Sequence, residues 1–162
     1  MPAFEILSQE EELAKLRGVA VLWLERIAQI TQHAGLTLNA YCTGMVADGT
    51  AGADSVVHLH LFTDAEKELA MCFLDAGLPY EISEYEIFNT KLSHSVFPAW
   101  VFEHANKNEN DNEIIPVVLT ILGSNALFLT QKKSLKNGQA AYLKREDLAA
   151  LIMQNEEAHD EI

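Results

Sequence analysis

The stretch SVVHLHLF, residues 55–62, predicts a β-strand. Its β-branched and aromatic residues favour extended backbone. Successive strand residues point to opposite faces, so residues two apart share a face. The alternation therefore predicts one apolar face and one mixed face that forms a cleft wall. Val57, Leu59 and Leu61 make the apolar face, and His58 and His60 make the mixed face with Val56 and Phe62.

A helix is predicted directly after this strand and a turn directly before it. Residues 63–66 have a capping-box pattern, which opens a helix that runs to Ala76 and stops at Gly77. The preceding residues 47–54 are rich in Gly and Asp and predict a turn. Residues 36–46 predict a strand or a short helix.

The longest predicted helix lies near the N-terminus. Ser8 and Glu11 form a capping box at its start, and Gly35 is typical of the position after a helix end. Gly18 predicts a bend or a split. Apolar residues recur at spacings of three and four, which favours a helix packed on its own sheet over a partner-binding helix. This stripe contains Leu13, Leu16, Ala20, Trp23, Ile27 and Ile30.

The second half of the chain predicts further strands and a last helix. The mostly apolar residues 114–122 indicate a central strand covered on both faces, with Pro116 near its start. We predict an α+β fold: a mixed β-sheet of about five strands with a long N-terminal helix, a central helix and a short C-terminal helix. The remaining predictions are strands at 80–88, 95–104 and 126–130, a polar loop at 106–113, and a helix at 146–154.

Length and charge limit the classes of function. The 162 residues, 18.0 kDa, predict a single domain over residues 1–154 with a frayed acidic tail at 155–162. Lys and Arg number 11 against 24 Asp and Glu, a net charge of -13, so we expect no nucleic-acid or membrane partner. Such acidity is also typical of bacterial-type cytosolic proteins that are kept soluble by charge.

The sequence favours a cytoplasmic protein. The N-terminal residues show no cationic region followed by an apolar core, so we expect no signal peptide. Cys42 and Cys72 lie in no CxxC motif and beside no cation, which favours two buried thiols in a reducing compartment, although a disulfide between them stays open. Neither G-x-S-x-G nor HExxH occurs, so no hydrolase motif is present.

Two imidazoles on one strand face could share a divalent metal, the one cofactor that the sequence suggests. His58 and His60 have the spacing for this, but a site needs at least one more ligand. The alternative is a pair of half-buried, hydrogen-bonded histidines. The candidates for a further ligand are Asp54, Glu103, His94 and His104.

Two other groups of residues are candidates for ligand binding. The glycine-rich turn before the strand, with Gly44, Asp48 and Asp54, could bring backbone N–H groups to an anion. A basic cluster around Asn137-Gly138 could hold a phosphate or an acidic partner, or could merely balance the acidic surface. The cluster contains Lys132, Lys133, Lys136 and Arg145, with Lys144 beside them.

Several segments occur in an order found in one enzyme family. They are Gly44-Met45, residues 56–58, the strand and helix that follow up to Tyr80, residues 116–119, and the basic residues 132–145 with the helix after them. Over residues 36–152 this order resembles the nucleotidyltransferase-like family of the DNA polymerase beta superfamily. In that family a glycine pair precedes a strand bearing Asp-x-Asp, and a later strand adds a third carboxylate. Together these acids hold two divalent cations.

The resemblance implies a fold that lacks the family's metal-binding acids. Residues 56–58 stand in place of Asp-x-Asp, and Val118 stands in place of the third acid. Mg²⁺ prefers oxygen ligands, which valine and histidine do not provide. The resemblance therefore predicts a non-catalytic module that binds a protein partner or a small ligand.

Two alternatives stay open. One is a metal-dependent enzyme that uses His58 and His60. The other is an acidic inhibitor or immunity-type protein, because a charge of -13 would steer the chain towards a basic partner.

Overall fold

The described chain combines four α-helices with five β-strands. A computed structural model describes residues 8–52, 55–89, 93–108, 111–126 and 142–160. The predicted α+β class with a long N-terminal helix is confirmed. The elements are α1 (Gln9–His33), β1 (Asn39–Thr43), α2 (Gly44–Asp48), β2 (Val57–Phe62), α3 (Glu66–Asp75), β3 (Glu81–Asn89), β4 (Ser93–Asn108), β5 (Asp111–Leu122) and α4 (Arg145–Asp160).

The five strands form one mixed sheet in the order β1-β2-β5-β4-β3. β2 and β5 are parallel, and the other three neighbouring pairs are antiparallel. Strand β5 lies between β2 and β4, as its apolar run predicts for a central strand. The predicted mixed sheet of about five strands is therefore confirmed.

The ends of α1 agree with their sequence signals. The Ser8 side chain accepts a hydrogen bond from the Glu11 N–H at 3.2 Å. Gly35 has φ +77°, and Leu36 N–H donates to the Thr31 carbonyl at 2.9 Å, which closes the last turn. Gly18 is exposed within one continuous helix, so the predicted split is not observed.

The start of α3 differs from its prediction. Thr63 Oγ1 accepts from the Ala65 N–H at 2.9 Å, and Ala65 itself is the N-cap, so no capping box forms. The hydroxyl closes a local turn instead, and the helix begins at Glu66. Its end is as predicted, because Gly77 takes φ +70° directly after it.

The main core lies between one face of the sheet and the helices. The buried side of α1 carries most of the predicted stripe, so this helix packs within its own domain. α4 packs along α1 and adds a fully buried leucine to the same core. Central members are Trp23, Leu59, Phe73, Leu119 and Leu148.

The prediction of a polar loop at 106–113 is wrong. Strand β4 continues to Asn108 and pairs with β5 from Asp111 onward, in a register that includes Asn106↔Glu113. This end of the hairpin extends beyond its neighbours, since β2 pairs with β5 only from Val117. The prediction that Pro116 lies near the start of its strand is also wrong. Pro116 lies in the middle of β5, just before the residues that pair with both β2 and β4.

The C-terminal helix is longer than its apolar pattern predicts. It spans Arg145–Asp160, whereas the sequence predicts 146–154. Residues 127–130 of the predicted short strand lie outside the described residues. Within the described ranges, no helix combines the length and the apolar character that crossing a bilayer requires.

Candidate binding face of the sheet

The sheet has a second face, opposite the face that packs on the helices. On β2, Val57, Leu59 and Leu61 are fully buried in the main core, as the alternation predicts. His58 and His60 therefore point to the other side, which we call the second face. The expected mixed face is confirmed, and it is deeply covered at His60, which is only 4% exposed.

The strand register shows which residues lie next to the two histidines. His58 lies between Thr43 of β1 and Val118 of β5. His60 lies next to Thr120 of β5, which is completely buried. Partners in adjacent strands have side chains on the same face, so the two histidines and Thr120 form one contiguous group.

Gly44 brings the backbone of the β1–α2 junction against His58. It has φ +76°, and a Cβ built on it would lie 3.5 Å from His58 Cδ2. Glycine adopts positive φ without strain, which explains its presence at this turn. Arg17 of α1 holds the other end of α2 by donating to the Val46 and Ala47 carbonyls at 3.0 and 3.2 Å. The position of Gly44 therefore depends on α1 through a buried guanidinium.

Two tyrosines complete the second face. Leu143 forms an antiparallel bridge with Cys42 of β1, and this bridge places Tyr142 beside His60, with 5.4 Å between ring centroids. Tyr85 of β3 lies 5.3 Å from His58 and 6.5 Å from His60. Aromatic rings at these distances make favourable edge or tilted contacts. His58, Tyr85 and Tyr142 are partly exposed, and we call them the rim; His60 and Thr120 are buried, and we call them the floor.

Three buried polar atoms of this face have no hydrogen-bond partner among the described residues. They are His58 Nδ1, His60 Nδ1 and Thr120 Oγ1. A buried polar group without a partner costs roughly 1–3 kcal/mol, and such groups are rare in folded proteins. Three of them side by side mark a place where a bound molecule could supply hydrogen bonds.

The two histidines and Tyr142 of the second face carry no formal charge at neutral pH. Burial lowers the pKa of His58, and burial together with the neighbouring His58 lowers the pKa of His60 to about 4. Burial raises the pKa of the Tyr142 hydroxyl, more than its hydrogen bond with Thr43 lowers it. Both imidazoles and the phenol are therefore neutral, and each imidazole has one donor and one acceptor nitrogen.

Two of the further metal ligands considered from the sequence, His104 and Glu103, do not join the histidine pair. His104 lies on the opposite face, where its Nδ1 accepts from Trp23 Nε1 at 2.9 Å. Glu103 pairs with Pro116, and β5 separates its strand from β2. His94 pairs with Phe88 at the far end of β4. In the part of the chain that the structure describes, no three His, Cys, Asp or Glu residues are grouped to hold a metal ion.

Of the remaining predicted ligand-binding residues, the structure describes Asp48 and Arg145. Asp48 Oδ1 accepts from the Thr50 N–H at 2.9 Å, in a local turn at the end of α2. Arg145 is 45% exposed and lies 3.9 Å from Glu25 of α1. Asp54, Lys132, Lys133 and Lys136 lie outside the described residues. Of the predicted set, the structure brings together Gly44, His58 and His60.

The cysteines contribute no nucleophile to the second face. Cys42 and Cys72 are both free and buried. Burial raises the pKa of Cys42 to about 12, although the nearby Arg17 lowers it slightly. A thiol with such a pKa carries almost no thiolate at neutral pH and is a poor nucleophile.

Comparisons with known proteins give structural neighbours only. No family model matches the chain, and no curated protein matches it. A structure of Cid1 in complex with its short product ApU is 12% identical, with a TM-score of 0.45, and covers 74% of this chain and 33% of its own.

Two further neighbours show the same degree of similarity. A Cid1 poly(U) polymerase crystal structure is 12% identical, with a TM-score of 0.44, and covers 78% of this chain and 34% of its own. A GLD-2/RNP-8 complex structure is 11% identical, with a TM-score of 0.43, and the match covers 72% of this chain and 39% of the chain in that structure. This chain thus spans about a third of each neighbour, and these neighbours are nucleotidyltransferase-superfamily proteins.

Proposed function

We propose that this chain is a non-catalytic, nucleotidyltransferase-like module that binds a small uncharged polar ligand on its second face. The observation that carries the proposal is the group of three unpartnered buried atoms on His58, His60 and Thr120. A ligand with hydrogen-bonding groups would relieve the cost of burying them.

The electrostatics of the second face argue against metal-assisted phosphoryl transfer. Two divalent cations need hard oxygen ligands, whereas Gly44 lies against neutral His58, and the β5 partner of His58 is aliphatic Val118. A triphosphate brings several negative charges, which neutral imidazoles do not compensate. The net charge of -13 repels it further.

The same chemistry indicates the class of ligand. Neutral imidazoles and a threonine hydroxyl offer both donors and acceptors, so the ligand should offer both in return. Tyr85 and Tyr142 form the rim and present aromatic rings, which favour a flat partner. An uncharged heterocycle with several hydrogen-bonding groups satisfies both requirements, and a nucleoside is an accessible example.

Calorimetric titration of the full chain tests the proposal. One set of titrations uses uridine and adenosine, and a separate set uses UTP and ATP in the presence of Mg²⁺. We expect a nucleoside to bind without metal, and its triphosphate to bind no more tightly. His60→Phe should weaken nucleoside binding at least tenfold, because it removes a floor nitrogen and keeps an aromatic ring. The matched control is His33→Gln, which changes an exposed histidine at the end of α1.

Three outcomes would overturn the proposal. One is Mg²⁺-dependent triphosphate binding that is tighter than nucleoside binding. Another is stoichiometric binding of Zn²⁺ that His58→Gln abolishes, which would establish the metal-site alternative. The third is no binding of either nucleoside at millimolar concentration, which would remove the ligand class.

A further inference from the structure

A separate groove lies between α1 and the part of β4 that extends beyond β3. The β3 ladder begins at the pair Glu81↔Val101, so the β4 residues after Val101 have no β3 partner among the described residues. The groove has a volume of about 550 Å³, within the range of small-molecule sites. We call it the α1–β4 groove, and its lining includes Trp23, Arg26, Leu78, Tyr80, Glu103 and His104.

Two hydrogen-bond donors face this groove. Trp23 Nε1 donates to His104 Nδ1 at 2.9 Å, so that nitrogen is the acceptor of a neutral imidazole. The proton of His104 is then on Nε2, which becomes a donor. Arg26 lies over the Trp23 ring, 5.1 Å from its centroid, and is close enough to His104 to lower its pKa together with burial.

Arg26 brings one positive charge to the groove, which the carboxylates of Glu81 and Glu103 also line. Among the described residues, the ion pairs within 4.0 Å involve Lys15 and Arg145 but not Arg26. A guanidinium beside an imidazole N–H suits an anionic acceptor, and its planar donors match a carboxylate. Glu81 and Glu103 are exposed at the margin of the groove and disfavour a second negative charge on the ligand.

The opposite wall of the groove is apolar and rigid. Tyr80 stacks on Trp100 with ring centroids 4.6 Å apart and an interplanar angle of 22°. It also contacts Phe102, 5.5 Å away, and Leu78 lies next to it in the chain. A ring held in this way offers an apolar surface with little loss of side-chain entropy on binding.

We propose that the α1–β4 groove binds a small monoanionic carboxylate that carries an apolar or aromatic body. Arg26 and His104 receive the carboxylate, and Leu78 and Tyr80 contact the body. This site is independent of the second face, so it does not rest on the function proposed above.

Phenylacetate is the probe, titrated into the ¹⁵N-labelled full chain. The readout is the indole N–H resonance of Trp23, one of two tryptophans in the chain. We expect a saturable shift of that resonance. Arg26→Gln should weaken binding at least tenfold, whereas Lys67→Gln, which removes one positive charge from exposed α3, should leave it unchanged. The free spectrum of each variant shows whether it is folded.

One uncharged and one cationic analogue of phenylacetate make the test specific for the carboxylate. 2-Phenylethanol has the same ring without the charge, and we expect it to bind at least tenfold more weakly than phenylacetate. Phenethylamine should bind more weakly still. Equal binding of the alcohol, tighter binding of the amine, an equal loss in Lys67→Gln, or no shift with phenylacetate would each overturn the proposal.

Discussion

At the scale of single residues, the second face depends on the burial of His60. The side chain is 4% exposed, and its imidazole faces His58 on the same strand, Tyr85 of β3 and Tyr142 beside β1. None of these groups carries a negative charge at neutral pH that would stabilise an imidazolium. His60 is therefore a neutral hydrogen-bonding group within the folded chain.

This burial makes stability depend on pH. The unfolded chain protonates His60 near its ordinary pKa of 6.5, and the folded chain only near 4, so stability is fully present at pH 7 and is lost as the pH falls. The shift corresponds to roughly 3 kcal/mol in the free energy of unfolding between pH 7 and pH 4. Urea denaturation at several pH values measures it.

The comparison of variants isolates this contribution. His60→Phe should reduce the pH dependence of stability below pH 6.5, since His58 and His104 still contribute to it, and the His33→Gln control should leave it unchanged. A His60→Phe protein with the same loss of stability on acidification as the unaltered chain would contradict the account.

Gly44 provides a second test at this scale. Alanine at φ +76° should cost about 1–2 kcal/mol of stability, although its Cβ would make only an ordinary 3.5 Å contact with His58. Gly52 has no positive φ and has open space around its Cβ, so Gly52→Ala should change stability by less than about 0.5 kcal/mol. Equal effects of the two substitutions, measured by thermal unfolding, would be inconsistent with a requirement for glycine at the positive φ of position 44.

At the scale of elements, local sequence patterns predict helices and strands better than they predict contacts between distant segments. The caps of α1 and the alternation of β2 are local, so the long helix and both faces of the strand could be predicted. Thr120, Tyr85 and Tyr142 reach the histidines through β5, β3 and the Leu143 bridge. No short-range pattern contains these pairings, and the three side chains could not be predicted as part of the site.

The polar end of the β4–β5 hairpin is a second feature that the sequence did not predict. Asn106, Lys107 and Asn108 resemble a loop in composition, but they continue the ladder opposite residues 111–113. Composition does not show that β4 and β5 continue to pair with each other beyond the ends of β3 and β2. Helix α4 also continues beyond its apolar pattern into residues 155–160.

The contact between α1 and α2 gives a prediction at this scale. Arg17 is 5% exposed and donates to two carbonyls at the end of α2, so Arg17→Leu should destabilise the fold by about 2–3 kcal/mol. It should also shift the His58 resonances, because α2 begins at Gly44. Arg26→Leu, a change of the same type on the same helix, is the control. A loss below about 1 kcal/mol in urea denaturation would contradict this role.

At the scale of the whole molecule, charge separates this chain from proteins that hold nucleic acid by its backbone. A net charge of -13 predicts no saturable binding of single-stranded RNA at physiological salt. Fluorescence anisotropy of a labelled oligouridylate measures this, with a basic single-strand-binding protein as a positive control. Binding that weakens steeply as salt rises would show a basic surface that the net charge conceals.

The central claim is that the second face offers neutral imidazoles to an uncharged ligand. ¹⁵N NMR of the histidine side chains at about pH 6, below the ordinary pKa, tests it most directly. We predict a neutral imidazole at His60, and signals of both histidines that respond to uridine and show no further response to Mg²⁺. A protonated His60 at that pH, or histidine signals that move with Mg²⁺ and ignore uridine, would contradict the claim.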